Sequence, residues 1–281
     1  MKLIKSVGSM RLWSNQTRAR GKTIAFVPTM GFLHEGHLSL VRRARREASA
    51  VVMSIFVNPL QFGPREDFVA YPRDIQRDSA LAGAEGCDVL FFPAKKQMYP
   101  EGFLTRVGVE RMDGVLCGAF RPGHFVGVCT VVLKLANIVR PHVLLVGQKD
   151  AQQAVILGRM LRDLNTEVRL IVCPTVRERD GLAMSSRNSY LSPKERERAL
   201  AISRSLFLAR KLVLCGERKA ARILGQMKSA LSRGGISDID YVAILDAKEL
   251  VPVKTVRGEV LIAVAARVGT TRLIDNIKLR I

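Results

Sequence analysis

Short apolar runs alternate with amphipathic stretches from Thr23 to Val172. Thr23-Ile24-Ala25-Phe26-Val27 reads as a buried strand. From His37 to Ala48 the apolar positions Leu38, Val41, Ala44 and Ala48 recur at helical spacing. Ala50 to Val57 is a second apolar strand, stopped by Asn58-Pro59. Residues 73–85 are helical in pattern, Asp88 to Phe92 is a third strand, and His124 to Val139 is an apolar helix ended by Pro141. Val143 to Val146 is a strand, 151–163 a helix and Val168 to Val172 a strand. Strands alternating with helices imply βαβ units and a parallel sheet. The fold class predicted is therefore α/β, with a Rossmann-like doubly wound parallel sheet.

The pattern changes after Pro174. Ser192-Pro193 has the form of an N-cap followed by proline at the first helical position, and starts a helix to about Leu214. A second helix covers about 217–232, and Gly234-Gly235 breaks the chain. Tyr241 to Leu245, Val260 to Val264 and Arg272 to Ile277 are short strands. This predicts a second, smaller α+β domain. The expected division is residues 1–175 and residues 176–281, with no internal repeat.

Composition narrows the class. The chain has 281 residues, 48% of them hydrophobic, enough for a sizeable core. No apolar run approaches the roughly 20 residues that cross a bilayer, and the start shows no apolar core with a cleavage site. The expected location is cytoplasmic, with no membrane association. Five cysteines stand far apart with no Cys-x-x-Cys pair, which disfavours zinc, an iron–sulfur cluster or a disulfide framework. The net charge of +20 raises the case for nucleic acid or anionic substrates. Its densest cluster, Arg42, Arg43, Arg45 and Arg46, lies on one predicted helix without interleaved aromatics. The charge is read as solvated surface with a minority serving phosphate, and a nucleic-acid partner is not expected.

Candidate chemistry concentrates in three segments. Met30-Gly31-Phe32-Leu33-His34-Glu35-Gly36-His37 lies where the first strand ends and the next helix begins. That junction is where open α/β sheets bind nucleotides, and helix starts attract phosphate through free N–H groups and partial positive charge. Two histidines add imidazole donors, and Gly36 is expected to let the backbone approach a phosphate. There is no Gly-x-x-x-x-Gly-Lys-Ser/Thr and no Gly-x-Gly, so neither a P-loop nor a dinucleotide fingerprint is present. Gly147-Gln148-Lys149-Asp150 follows another strand and offers an ammonium for phosphate and a carboxylate for ribose. Met184-Ser185-Ser186-Arg187 brings two hydroxyls and a guanidinium suited to a triphosphate. Taken alone, either of these two segments could be an ordinary surface turn.

The chain resembles the pantothenate synthetase family, within the His-x-Gly-His nucleotidylyl-transferase superfamily. The resemblance runs from Val27-Pro28-Thr29-Met30-Gly31 to Gly269-Thr270-Thr271-Arg272-Leu273-Ile274-Asp275-Asn276. It includes Ser54-Ile55-Phe56-Val57-Asn58-Pro59-Leu60-Gln61-Phe62, Arg121-Pro122-Gly123-His124-Phe125 and Asp180 through Asn188. It implies an AMP-forming ligase that joins (R)-pantoate to β-alanine through a pantoyl-adenylate, releasing pyrophosphate, in the route to coenzyme A. It implies ATP as substrate, Mg²⁺ bound through the ATP phosphates, and a homodimer.

The resemblance also implies roles. His34 and His37 would meet the phosphates, with His37 at the position assigned as the acid, and Lys149 would join them in catalysis. Met30 to His37, Gly147 to Asp150, Val176 and Met184 to Arg187 would line the ATP site, Val176 through its backbone. Gln61 and Gln153 would bind pantoate, and no protein metal ligands are implied. Two positions depart from the family pattern: Gln148 stands where Glu is usual, and Ala151 where an aromatic residue is usual. The expected consequence is altered nucleotide affinity with the reaction kept. Two rival readings are a nucleotidylyl transferase acting on a phosphorylated acceptor and an RNA-binding protein.

Overall fold

Buried β-branched and aromatic runs with no polar alternation pair into a sheet covered on both faces. In the computed structural model, which describes every residue except Arg65, six strands form a parallel sheet in the order β1-β4-β3-β2-β5-β6. The strands are β1 (Lys2–Ile4), β2 (Ile24–Thr29), β3 (Ala50–Ile55), β4 (Val89–Phe91), β5 (Val143–Gly147) and β6 (Arg169–Cys173). The helices along this stretch of chain are α1 (Val7–Ala19), α2 (Glu35–Glu47), α3 (Ile75–Ala84), the one-turn α4 (Lys95–Met98) and α5 (Cys117–Phe120), α6 (His124–Val139) and α7 (Ala151–Asp163). Leu38, Val41 and Ala44 of α2 bury against Val27, Met53 and Leu145 of the sheet. Helices α1 and α6 pack on each other and on β2.

The strand order reverses between β2 and β5, where Ala25 pairs with Val143 and Phe26 with Leu144. This is a doubly wound sheet, and its switch point lies between the carboxyl ends of β2 and β5. Pro28 has no N–H to give to a ladder. Beside it the Ser54 carbonyl takes the Thr29 hydroxyl at 2.7 Å.

A three-stranded antiparallel sheet is built from β7 (Ile239–Asp246), β8 (Glu259–Val268) and β9 (Thr271–Arg280), in that order. Helices α8 (Pro193–Leu214) and α9 (Ala220–Arg233) share its core, in which Leu206, Ile223, Met227, Ile262 and Val264 are fully buried. Ser192 caps α8 with Glu195 in a reciprocal capping box, as the Ser-Pro pair predicts.

Two compact units result. One holds residues 1–113, 121–147 and 156–174; the other holds 114–120, 148–155 and 175–281. The second therefore takes in two segments that lie upstream of Pro174. Among the described residues, no helix is long and apolar enough to cross a membrane.

The hydrophobic pattern overlooked the first two elements. In α1 the buried residues are Met10, Ser14 and Thr17, so two of three inward positions are polar and the apolar stripe is absent. In β1 only Ile4 is buried. The reading also cut β8 and β9 short, because each is ten residues long and extends beyond its apolar centre.

Candidate active site

The histidine segment belongs to the first unit. Gly31 turns the chain out of β2 with φ of 88°, and Phe32 follows at 51°. A Cβ at Gly31 would stand 2.9 Å from the Ile55 side chain and 3.0 Å from the Asp78 carboxylate, so the turn requires glycine twice over. Asp78, buried on α3, accepts from Phe32 N at 2.7 Å and Leu33 N at 2.8 Å. Burial pushes its carboxyl above the ordinary Asp range, against the pull of those two N–H groups. Arg77 adds a bond from its guanidinium to the Leu33 carbonyl, 3.0 Å, and lies over the Phe32 ring.

The two histidines cap α2 reciprocally. His34 is the N-cap, and its Nδ1 accepts from Gly36 N at 3.1 Å; His37, three residues on, accepts from His34 N through its own Nδ1 at 3.3 Å. An imidazole whose Nδ1 accepts carries its proton on Nε2. Both rings are thereby set as Nε2–H donors, 4.1 Å apart between centroids. Several backbone donors are engaged within the turn: Phe32 and Leu33 with Asp78, His34 and Gly36 with the rings, and Gly31 with the Thr29 hydroxyl at 3.2 Å. The sequence reading assigned Gly36 to backbone approach; its N–H goes to His34. Glu35, half-exposed, pairs with Arg42.

Gln61 closes a 3₁₀ turn at 59–61 and is brought to the histidine segment, its Nε2 lying 3.1 Å from Met30 Sδ. Its carboxamide is oriented by Asn58, a buried residue absent from the sequence-derived site. The Asn58 amide donates to Gln61 Oε1 at 3.1 Å and to the Gly127 carbonyl at 3.0 Å. Its oxygen accepts from Leu60 N at 3.2 Å and from the Tyr99 hydroxyl at 2.7 Å. Burial holds that phenol protonated well above its ordinary range. Helix α6 comes close enough to this turn that a Cβ on Gly127 would stand 2.2 Å from the Leu60 carbonyl oxygen. His124 Nδ1 donates to the Gln61 carbonyl at 2.8 Å, and its Nε2 takes Arg121 Nη1 at 3.2 Å. Arg121 pairs with Glu66 through two bonds. Burial works against the charge on Glu66, but the guanidinium prevails and holds the carboxyl below its ordinary value. Gly147 ends β5, next to β2 in the sheet.

The remaining candidates belong to the second unit. Gln148, Lys149 and Asp150 form one 3₁₀ turn, and Gln153 stands in the first turn of α7. The Lys149 ammonium lies 3.6 Å from Asp150. Met184 N donates to the Val176 carbonyl at 3.0 Å, and Arg177 bridges Ala183, so 176–184 is a tight antiparallel loop. Ser185 caps the 3₁₀ turn at 186–190 through Arg187 N, with Ser186 buried inside it. Ala151 is buried at 6% exposure. Missed by the sequence reading are Asp78, Asn58, Tyr99 and the β9 residues that hold the turn. Each depends on at least one partner distant in sequence, as Asn58 does on Tyr99 and Gly127, and no local signal announces it.

A doubly wound parallel sheet with paired histidines starting a helix at its switch point defines a class: α/β proteins that bind nucleotides at the carboxyl edge of the sheet. The pantoate–β-alanine ligase family profile matches residues 2–278. The pantothenate synthetases of Heliobacterium modesticaldum and Thermotoga petrophila are each 56% identical over 276 residues, covering 98% of this chain and 98% or 99% of theirs. The crystal structure of pantothenate synthetase from Thermus thermophilus matches with TM-score 0.94 at 45% identity, over 99% of both chains. The pantoate–β-alanine ligase of Francisella tularensis, complexed with β-γ ATP and β-alanine, matches with TM-score 0.81 at 33% identity, over 99% of this chain and 97% of that one. The chain belongs to the pantoate–β-alanine ligase family. Its reaction is the family's: ATP-dependent ligation of (R)-pantoate and β-alanine to pantothenate through a pantoyl-adenylate, with AMP and pyrophosphate released.

Proposed function

We propose that both sets of residues serve one ATP. His34 and His37 donate Nε2–H groups to its phosphates, Lys149 and Arg187 add positive charge, and Ser185 and Ser186 bind the triphosphate. Gly147, Asp150 and the Val176 backbone hold ribose and adenine, and Gln61 and Gln153 hold pantoate. Residues 176–281 close over the nucleotide. The observation that carries this reading is the His34–His37 capping box at the switch point. It ties up Nδ1 of both rings and commits their Nε2–H groups as donors.

The pantoate carboxylate attacks the α-phosphate and pyrophosphate leaves. Charge accumulating on the leaving phosphates meets donors already in place, so stabilisation needs no reorganisation. The β-alanine amine then attacks the acyl carbon and displaces AMP. No side-chain nucleophile is required, because the anhydride is the activated acyl group. Gln61 offers its N–H to the pantoate carboxylate, since Asn58 occupies its carbonyl.

Mg²⁺ enters this proposal as an ion that the phosphate oxygens of the nucleotide would hold. Bound there, it supplies neutralising charge to the phosphates. We further propose that the enzyme is a cytoplasmic homodimer without a nucleic-acid partner.

Exchange of labelled pyrophosphate into ATP tests the reading. It should require pantoate and proceed without β-alanine. Exchange supported by a phosphate ester in place of pantoate would contradict it.

A further inference from the structure

Asn276 lies in β9, buried to 5% exposure. Its side chain makes three hydrogen bonds to two consecutive residues far upstream. Nδ2 donates to the Gln148 carbonyl at 3.0 Å and to the Lys149 carbonyl at 2.8 Å. Backbone carbonyls only accept, so these two bonds settle which atom of the amide is nitrogen. Oδ1 is then an acceptor, and it takes the Gln148 Nε2–H at 3.0 Å. Nothing in this pattern braces β9 itself, which is already paired along its whole length to β8. The bonds serve the 148–150 turn.

The neighbouring residue does the same for the other nucleotide segment. Asp275, buried to 4% exposure, receives both Arg177 Nη groups, at 2.6 and 2.9 Å. It also accepts from Asn276 N at 2.7 Å, which links the two devices. Arg177 in turn donates to the Gly181 carbonyl at 3.1 Å, inside the 176–184 loop.

We propose that Asn276 is a positioning residue for ATP, acting through Lys149. The proposal rests on the assignment of the 148–150 turn to the nucleotide. Lysine has a long rotor-rich stem, and the direction of its Cα–Cβ bond is set by the backbone that Asn276 holds. Fixing that backbone before ATP arrives removes part of the ordering that binding otherwise requires. Gln148 is matched to this arrangement. A carboxylate in its place would bring an oxygen against Asn276 Oδ1, while both Asn276 N–H groups stay committed to carbonyls.

The test is a double-mutant cycle on the full-length enzyme, with KM for ATP and for pantoate, kcat and Tm read for each variant. Asn276→Ala should raise the ATP KM about tenfold, as loss of these bonds implies, and leave the pantoate KM within about twofold. In a Lys149→Ala background the same change should add less than about threefold. A residue with only a structural role would lower Tm and kcat and leave the ATP KM alone; that result overturns the proposal. So does full additivity with Lys149→Ala. If Asn276→Ala is recovered unfolded, Asn276→Ser is read by the same criteria, with a smaller rise in ATP KM expected. An unchanged ATP KM and kcat in Lys149→Ala alone would remove the 148–150 turn from the nucleotide site, and the failure would then lie with that assignment.

Discussion

The histidine segment and the 148–150 turn solve one problem by different means. His34 and His37 cap each other within four residues, and the turn before them is set by Gly31 at the end of β2. The 148–150 turn has no such internal device. It is held by Asn276, 128 positions beyond Gln148. The first region is local, so its chemistry and its geometry come from the same short string. The second takes its shape only when the β9 strand is in place. The comparison teaches that a lysine on a short turn takes its backbone clamp from another strand, whereas an imidazole at a helix start brings its own.

If the histidines are the principal electrostatic donors, His37→Ala gives the largest effect. Single-turnover pyrophosphate release should slow by about 100- to 1,000-fold, the usual result of losing one such donor, with far-UV circular dichroism unchanged. An unchanged rate would move the leaving-group chemistry away from the helix start and toward the second unit.

Gly127→Ala probes the 59–61 turn that carries Gln61, the proposed pantoate ligand. The new Cβ would meet the Leu60 carbonyl oxygen at 2.2 Å and must push the 59–61 turn aside. Overpacking of this kind costs about 1–3 kcal/mol. Denaturant unfolding should show that loss, and the pantoate KM should rise more than the ATP KM. Equal rises would mean that the turn serves both substrates.

Asp78→Asn sharpens the account of how the local region is held. An amide nitrogen would face one of the two N–H groups now bonded to the carboxylate, a loss of about 1–3 kcal/mol. The pH dependence has a definite sign. Burial raises the folded-state pKa of Asp78, so between the unfolded value and that raised value the folded state binds more protons. Its contribution to stability is therefore greatest below the unfolded pKa and falls as pH rises through the folded one. Tm measured from acid to neutral pH should show this downward component in the wild type, and Asp78→Asn should lack it.

The smallest effect is expected at Gln148. Gln148→Glu should remain active and change mainly the ATP KM, by about tenfold or less, the worth of one hydrogen bond. Complete loss of activity would show that the clamp on the second region is stricter than one amide contact.

The sequence disclosed these regions unequally for the same reason. The alternating apolar runs pointed to the parallel sheet, and the His-x-Gly-His spacing pointed to the helix start, because both are signals between near neighbours. Helix α1 was hidden because Ser14 and Thr17 fill inward positions that an apolar stripe would occupy. Asn58 orienting Gln61, Asp78 holding Phe32 and Leu33, and Asn276 holding Lys149 are contacts across 3, 45 or 46, and 127 positions. Even the shortest of these depends on Tyr99 and Gly127 to fix the Asn58 amide, so no spacing rule could have announced it.

If the helix-start histidines serve a pyrophosphate leaving group, attack must fall at the α-phosphate. Pantoate carrying heavy oxygen in its carboxylate distinguishes the two routes open to an ATP-dependent ligase. With attack at the α-phosphate, one labelled oxygen stays on phosphorus when β-alanine displaces AMP, so mass spectrometry should find one heavy oxygen in AMP. Label in inorganic phosphate, with ADP as the nucleotide product, would contradict the adenylate route and the roles given to His34 and His37.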